Sequence, residues 1–328
     1  MGAVSMAIVL FNAPRNAQNV HRERPFLMIV QPYIHSSGKI TAKTSFLSPS
    51  FEAERVRLLN MPFSVPIDII PWEEHWNPYA TLKNSHTFTA LDRVPQLMVD
   101  EEMRDFIQGG LATAGFDVTG IMGEVERVRQ IKSSKEAGIL RAINTGTVEA
   151  VRQMRKCLYP GLTESEIAQV LDNTLRSAGL KPFFDIVLFD ENAANPHGGT
   201  NGSKGAHLLG YSSDICRTFF PPFLDRPPNS GQVPPSLAEK LKIWDIVFEA
   251  QTQSSHKFHP NSSAASVDIA AREVISDAGY GDAFTHRVSH GIGIKGTFGV
   301  RHEDIFLVQE SGEPELLTGS RPVSPWDP

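Results

Sequence analysis

Three stretches of the chain carry residues that could hold a metal ion. In Gly205-Ala206-His207-Leu208-Leu209-Gly210-Tyr211-Ser212-Ser213-Asp214-Ile215-Cys216-Arg217-Thr218-Phe219-Phe220 one carboxylate stands among apolar neighbours. A strand would hold Asp214 on one face while its neighbours pack, and a buried carboxylate is costly unless paired or metal-bound. Thr285–Gly293 carries His286 and His290 four residues apart, and Val300–Val308 sets Arg301, His302, Glu303 and Asp304 in an apolar frame. Asp214, His290 and Glu303 together offer two hard oxygens and one imidazole, a mixture suited to Mn, Co, Fe or Zn. Three protein ligands leave positions open for water and substrate, as hydrolysis requires. His197 and His286 would then bind substrate or stand behind the ligands. Each residue alone reads as a satisfied polar group in a β core; the three stretches together point to metal.

These residues need elements to place them. Residues 1–123 read as an α/β domain, with strands at Pro25–Val30, Val65–Ile70 and Phe116–Ile121 and helices over Pro49–Leu59 and Asp100–Ala114. From Glu124 the pattern is helical, with Ile139, Ile143, Val151, Met154 and Leu158 at helical intervals. Pro160-Gly161 stops this helix, and Thr163 with Glu166 forms a capping box for the next, whose stripe is Ile167, Val170, Leu171, Leu175 and Ala178. Phe183–Phe189 reads as a strand, Asn192–Gly202 as a loop around His197, Ser236–Phe258 and Val267–Ala278 as helices, and Val288–Ile294 and Val300–Gln309 as strands. Glu315–Thr318 should pair back across a turn, and the proline-rich tail 319–328 reads as disordered.

Composition narrows the function. A chain of 328 residues allows two domains, and a net charge of -6 leaves no basic footprint for nucleic acid. Two cysteines cannot build a disulfide framework, which fits a reducing, cytoplasmic setting. No apolar run is long enough for a membrane span, and Met6–Phe11 makes a poor signal peptide.

Four motifs resemble the pita-bread metallopeptidases, the group of creatinase, prolidase, aminopeptidase P and methionine aminopeptidase. Gly210–Thr218 is similar to their Gly-Tyr-x-Ser-Asp-x-x-Arg-Thr segment, Asn195-Pro196-His197-Gly198 to a Pro-His loop, His286-x-x-x-His290-Gly291-Ile292-Gly293 to a His-x-x-x-His-Gly-x-Gly segment, and Val300-Arg301-His302-Glu303-Asp304 to the last motif. The resemblance implies an α/β N-terminal domain over 1–123, shortened, and an α+β pita-bread domain over 124–318. It implies metal ligands Asp214, His290 and Glu303, with His197, His286 and Arg301 positioning substrate and supporting Glu303. A separate N-terminal domain looks closest to Xaa-Pro aminopeptidase or creatinase-like proteins, acting on a peptide or small molecule, with Mn the expected ion, Zn or Co as alternatives, and a possible homodimer.

The chain departs from that pattern twice. Where the family has its first Asp, in Asp-x-Gly-Ala, Ser203 precedes Gly205-Ala206. Where it has a Glu-Pro-Gly ligand motif, the chain passes from Ile294-Lys295-Gly296 straight to Val300-Arg301. Good matches on either side of each gap point to skipped segments rather than gradual substitution. Two carboxylates balance one divalent ion, so the expectation is a metalloaminopeptidase-like hydrolase with an impaired site holding at most one ion. The alternatives are an inactive scaffold or splice or gene-model variant, and a metal-free amidinohydrolase. Loss of core strands should also destabilise the second domain.

Overall fold

The computed structural model describes residues 6–11, 24–35, 37–58, 61, 63, 66–89, 93–194, 205–228, 233–284, 288, 292–294 and 298–328. The chain divides into two compact units, residues 1–131 and 132–328.

The first unit is built on six strands: β1 (Met6–Phe11), β2 (Leu27–Ile34), β3 (Ile40–Pro49), β4 (Asp68–Trp72), β5 (Gln96–Val99) and β6 (Asp117–Gly120). They are ordered β4-β3-β2-β1-β5-β6. Helices α1 (Ala53–Leu58), α2 (Pro78–Lys83) and α3 (Asp105–Thr113) accompany them. Leu27, Ile29, Leu47, Leu97, Val99, Ile107 and Leu111 form its core. The first unit runs to Ile131 and so includes α4 (Glu124–Gln130), whose Arg129 faces Asp100 and Glu102 at 3.7 and 3.6 Å; just ahead of it Met122 N donates to Glu101 Oε1 at 2.5 Å.

The second unit opens with two capped helices. In α5 (Ser134–Lys156) Ser133 and Glu136 form a capping box, and in α6 (Glu164–Ser177) Thr163 and Glu166 form the expected one. Each side-chain oxygen satisfies an N–H that the first helical turn leaves unpaired. Ile143, Val151, Met154, Ile167, Leu171 and Leu175 pack on one another and on Ile215. Strands β7 (Lys181–Phe184), β8 (Gly205–Leu208) and β9 (Tyr211–Ser212) form a three-stranded sheet in that order. Helices α7 (Pro235–Ser255) and α8 (Ala264–Asp277) enclose Ile243, Trp244, Val247 and Ile275. β10 (Ile292–Ile294) pairs with β11 (Phe298–Val300), and β12 (Phe306–Leu307) with β13 (Glu315–Leu316).

Strands of this unit are shorter than the sequence suggests: β7 stops at Phe184, and the Val300–Gln309 stretch is split between β11 and β12. A strand extends only as far as a neighbour offers main-chain partners.

The tail is a second correction, since residues 319–328 are not a free end. Arg152 Nε donates to Pro328 O at 2.7 Å, Phe220 N donates to Pro325 O at 2.8 Å, and the Trp326 ring lies 5.0 Å from Phe220. Proline restricts the unfolded tail as well, so docking it costs less entropy than its composition suggests.

Candidate active site

Asp214 and Glu303 come from segments far apart in sequence, joined by one antiparallel bridge between Cys216 and Glu303 in which Glu303 N donates to Cys216 O at 3.1 Å. Asp214 sits in an extended stretch just beyond β9, not inside a ladder. Two anchors fix that stretch. Tyr211 Oη donates to Glu136 Oε1 at 2.7 Å, and the Ser213 and Thr147 hydroxyls are 2.8 Å apart, with Thr147 already donating to Ile143 O.

A network behind the bridge holds the two segments in register. Arg217 Nη1 donates to Glu303 O at 2.6 Å and Cys216 O at 2.9 Å, and its Nη2 to Asp304 Oδ1 at 2.5 Å. Asp304 also accepts from Thr318 Oγ1 at 2.6 Å and Gln251 Nε2 at 3.1 Å. The Arg217 and Asp304 side chains are 1% and 0% exposed, so this is a fully buried ion pair. Thr218 Oγ1 accepts from Arg301 N at 2.8 Å and donates to Arg301 O at 3.1 Å, while Trp244 Nε1 donates to Thr218 O at 2.9 Å. The sequence reading gave Arg217, Thr218 and Asp304 no role; their place inside the Asp214 and Glu303 motifs was the available signal.

On the open side, Arg301 Nη2 donates to Glu303 Oε1 at 2.5 Å. Burial pushes the Glu303 carboxyl up to about 7, against the pull of Arg301 and with Asp214 adding to the rise. Asp214 is water-accessible, yet the surrounding protein still raises its carboxyl, with Arg301 opposing. His302, between them in sequence, points away into Trp244 and Phe248, with ring centroids 4.6 and 6.2 Å away. Neither of its ring nitrogens has a partner among the described residues, and burial first, then Arg217 and Arg321, lowers it to about 3. It is neutral and structural.

Asp214, Arg301 and Glu303 thus stand together on one cavity wall. His197, His286 and His290 lie outside the described residues. Among the described residues no three His, Cys, Asp or Glu side chains are arranged to hold a metal ion. The two described carboxylates are instead served by one guanidinium. Their two negative charges match one divalent ion and no more.

A model of metallopeptidase family M24 matches residues 138–299. An uncharacterized peptidase of Schizosaccharomyces pombe is 36% identical over 359 aligned positions, covering 93% of this chain and 74% of the relative. The chain belongs to metallopeptidase family M24. Its pita-bread fold is shared with a dipeptidase from Pyrococcus horikoshii (TM-score 0.70, 23% identity, 96% of this chain and 94% of that one). It is shared equally with a prolidase from Pyrococcus furiosus (TM-score 0.70, 19% identity, 96% of each chain). An Xaa-Pro dipeptidase from Bacillus anthracis has a TM-score of 0.71 at 21% identity, over 96% of this chain and 93% of that one. The family resemblance read from four motifs is therefore correct. The S. pombe alignment, at 359 positions, is longer than this 328-residue M24 chain, so it includes positions at which this chain has no residue.

Proposed function

We propose that this M24 member is a metal-dependent aminopeptidase-like hydrolase of the Xaa-Pro type, working with a reduced metal site. The observation that carries the reading is the Cys216–Glu303 bridge, which brings Asp214 and Glu303 to one cavity wall in a member of a metallopeptidase family. The names of the fold neighbours, prolidase and Xaa-Pro dipeptidase, motivate the substrate class. Asp214 and Glu303 with His290 would hold at most one divalent ion, Mn first, then Zn or Co. Such an ion supplies a Lewis acid and a water of lowered pKa. Arg301 orients Glu303 and balances part of the carboxylate charge, while His197 and His286 would position the peptide.

A second reading is an inactive pita-bread protein that binds without turnover, favoured by the Arg301 guanidinium that already holds the Glu303 carboxylate. One experiment separates the two. Purified chain is incubated with Mn, desalted and analysed for bound metal, and Xaa-Pro peptides are followed by chromatography with and without chelator. Bound ion and chelator-sensitive turnover, both lost in Asp214→Asn, support the hydrolase. Absence of both in a folded chain supports the binding protein, and turnover that survives chelator favours the metal-free amidinohydrolase chemistry.

A further inference from the structure

Two ion pairs flank the Cys216–Glu303 bridge, and they differ in what can reach them. Arg217 and Asp304 are wholly buried, and Arg217 also donates to the main-chain oxygens of Cys216 and Glu303, so its charge is committed by folding. Arg301 and Glu303 form the other pair. The Glu303 side chain is 8% exposed, but that of Arg301 is 24% exposed, on the wall it shares with the water-accessible Asp214.

The main chain of Arg301 is pinned on both sides by the Thr218 hydroxyl, which accepts from its N–H at 2.8 Å and donates to its carbonyl at 3.1 Å. The backbone thus delivers the side chain to Glu303, where Nη2 donates to Oε1 at 2.5 Å. Asp214 feels the same guanidinium, which opposes the rise of its carboxyl. One cation therefore serves both carboxylates. The sequence tips this balance further. Ser203 stands where the family has its first Asp, and no Glu-Pro-Gly motif follows Gly296, so two carboxylates of the family pattern are absent. A buried carboxylate needs a cation, and a guanidinium or a metal ion can each supply it. With Arg301 in place, the Asp214 and Glu303 pair has a single negative charge left for an ion that carries two positive ones.

We infer that Arg301 is a built-in counter-cation that guards this site: its guanidinium competes with a divalent ion for Glu303, and removing its charge tightens metal binding. The inference rests on the metal-site reading proposed above and adds a brake to it. It concerns Asp214, Arg301 and Glu303 alone and holds whatever further ligand joins them. Without metal, Arg301 keeps the buried Glu303 carboxylate satisfied. With metal, the guanidinium stands close to a like charge, and that repulsion lowers the affinity. An Arg301 that only built the site would act the other way, because its loss would loosen the ion.

The test uses the full chain, stripped with chelator and dialysed, with Mn as the only ligand and free Mn read by electron paramagnetic resonance. Arg301→Gln keeps a donor for Glu303 and removes the charge, and should bind Mn about tenfold or more tighter than the unaltered chain. Arg301→Lys keeps the charge and should stay within about threefold of the unaltered chain. Without Mn, Arg301→Gln should unfold at lower urea, because Glu303 has lost its cation, and saturating Mn should raise its midpoint by more than it raises that of the unaltered chain. Arg301→Met, which keeps the stem, carries the same expectations where the Gln variant does not fold. Equal or weaker Mn binding by the folded, uncharged variant overturns the inference and leaves the metal-site reading standing. So does a Lys variant as tight as the Gln one, the mark of shape and not of charge. Mn bound by neither chain overturns both.

Discussion

Replacing Arg217 by Met should cost the second unit more than any change on its surface. Arg217 is the donor in a wholly buried pair with Asp304 and also caps the carbonyls of Cys216 and Glu303. Methionine keeps the apolar stem and removes three hydrogen bonds. Asp304 would then be a buried carboxylate held only by Thr318 and Gln251, with Arg321 4.0 Å away. Breaking one side of such a pair costs about 3–5 kcal/mol. For a unit of this size each kcal/mol lowers Tm by about 2–4 °C, so the loss should be about 6–20 °C. The assay is urea unfolding followed by tryptophan fluorescence, in a background where Trp72 and Trp76 are Phe, so that Trp244 and Trp326 report the second unit alone. The double variant Arg217→Met/Asp304→Leu should recover a large part of the loss, because no unpaired charge remains buried, but not all of it, because the Glu303 carbonyl loses its donor and Cys216 O keeps only its bond from Glu303 N. A single-variant loss below about 1 kcal/mol would refute the reasoning, since that is the size of an exposed pair.

Two further outcomes follow from other contacts. Hydrogen bonds from Tyr211 and Ser133 hold Glu136 at about 2, so the stability it adds is complete above the ordinary carboxylate pKa of 4.5 and is lost as pH falls through about 2. Tyr211→Phe should remove part of that dependence, and acid titrations of the two chains that superimpose would contradict it. Trp326→Ala should destabilise the second unit by about 1–3 kcal/mol, through lost packing on Phe220 and the lost bond from Nε1 to Leu224 O; urea curves with an unchanged midpoint would show that the tail docks without consequence.

Local signals carried much of the fold. The Thr163 and Glu166 capping box and the Ile167, Leu171, Leu175 stripe were legible because each is decided within one or two helical turns. The family followed from short motifs whose order survives. Features set by distant partners were not legible. Proline content in 319–328 reads as disorder, yet Arg152, Phe220 and Gln251 supply a binding surface from elsewhere in the chain. Asp214 and Glu303 could be named from their motifs, and Arg217 and Asp304 lie in the same motifs, but that these two pair was hidden, because the energy of the pair exists only once both segments are buried. The ends of β7 and β9 were also hidden, since strand length depends on a neighbouring strand and not on the strand's own propensity.

The distance along the chain between the two halves of the site also governs when it can form. Arg217 and Asp304 are 87 residues apart, with α7 and α8 between them. Closing so long a loop must come before the contacts that reward it, so this pairing belongs to the late, slow part of folding. During synthesis Asp214 leaves the ribosome well before Glu303 exists, with its segment's outer edge and the α5–α6 face still open. The carboxylate pair is therefore a product of the completed second unit, and a chain stalled or cut within α7 or α8 would keep its capped helices but have no site at all.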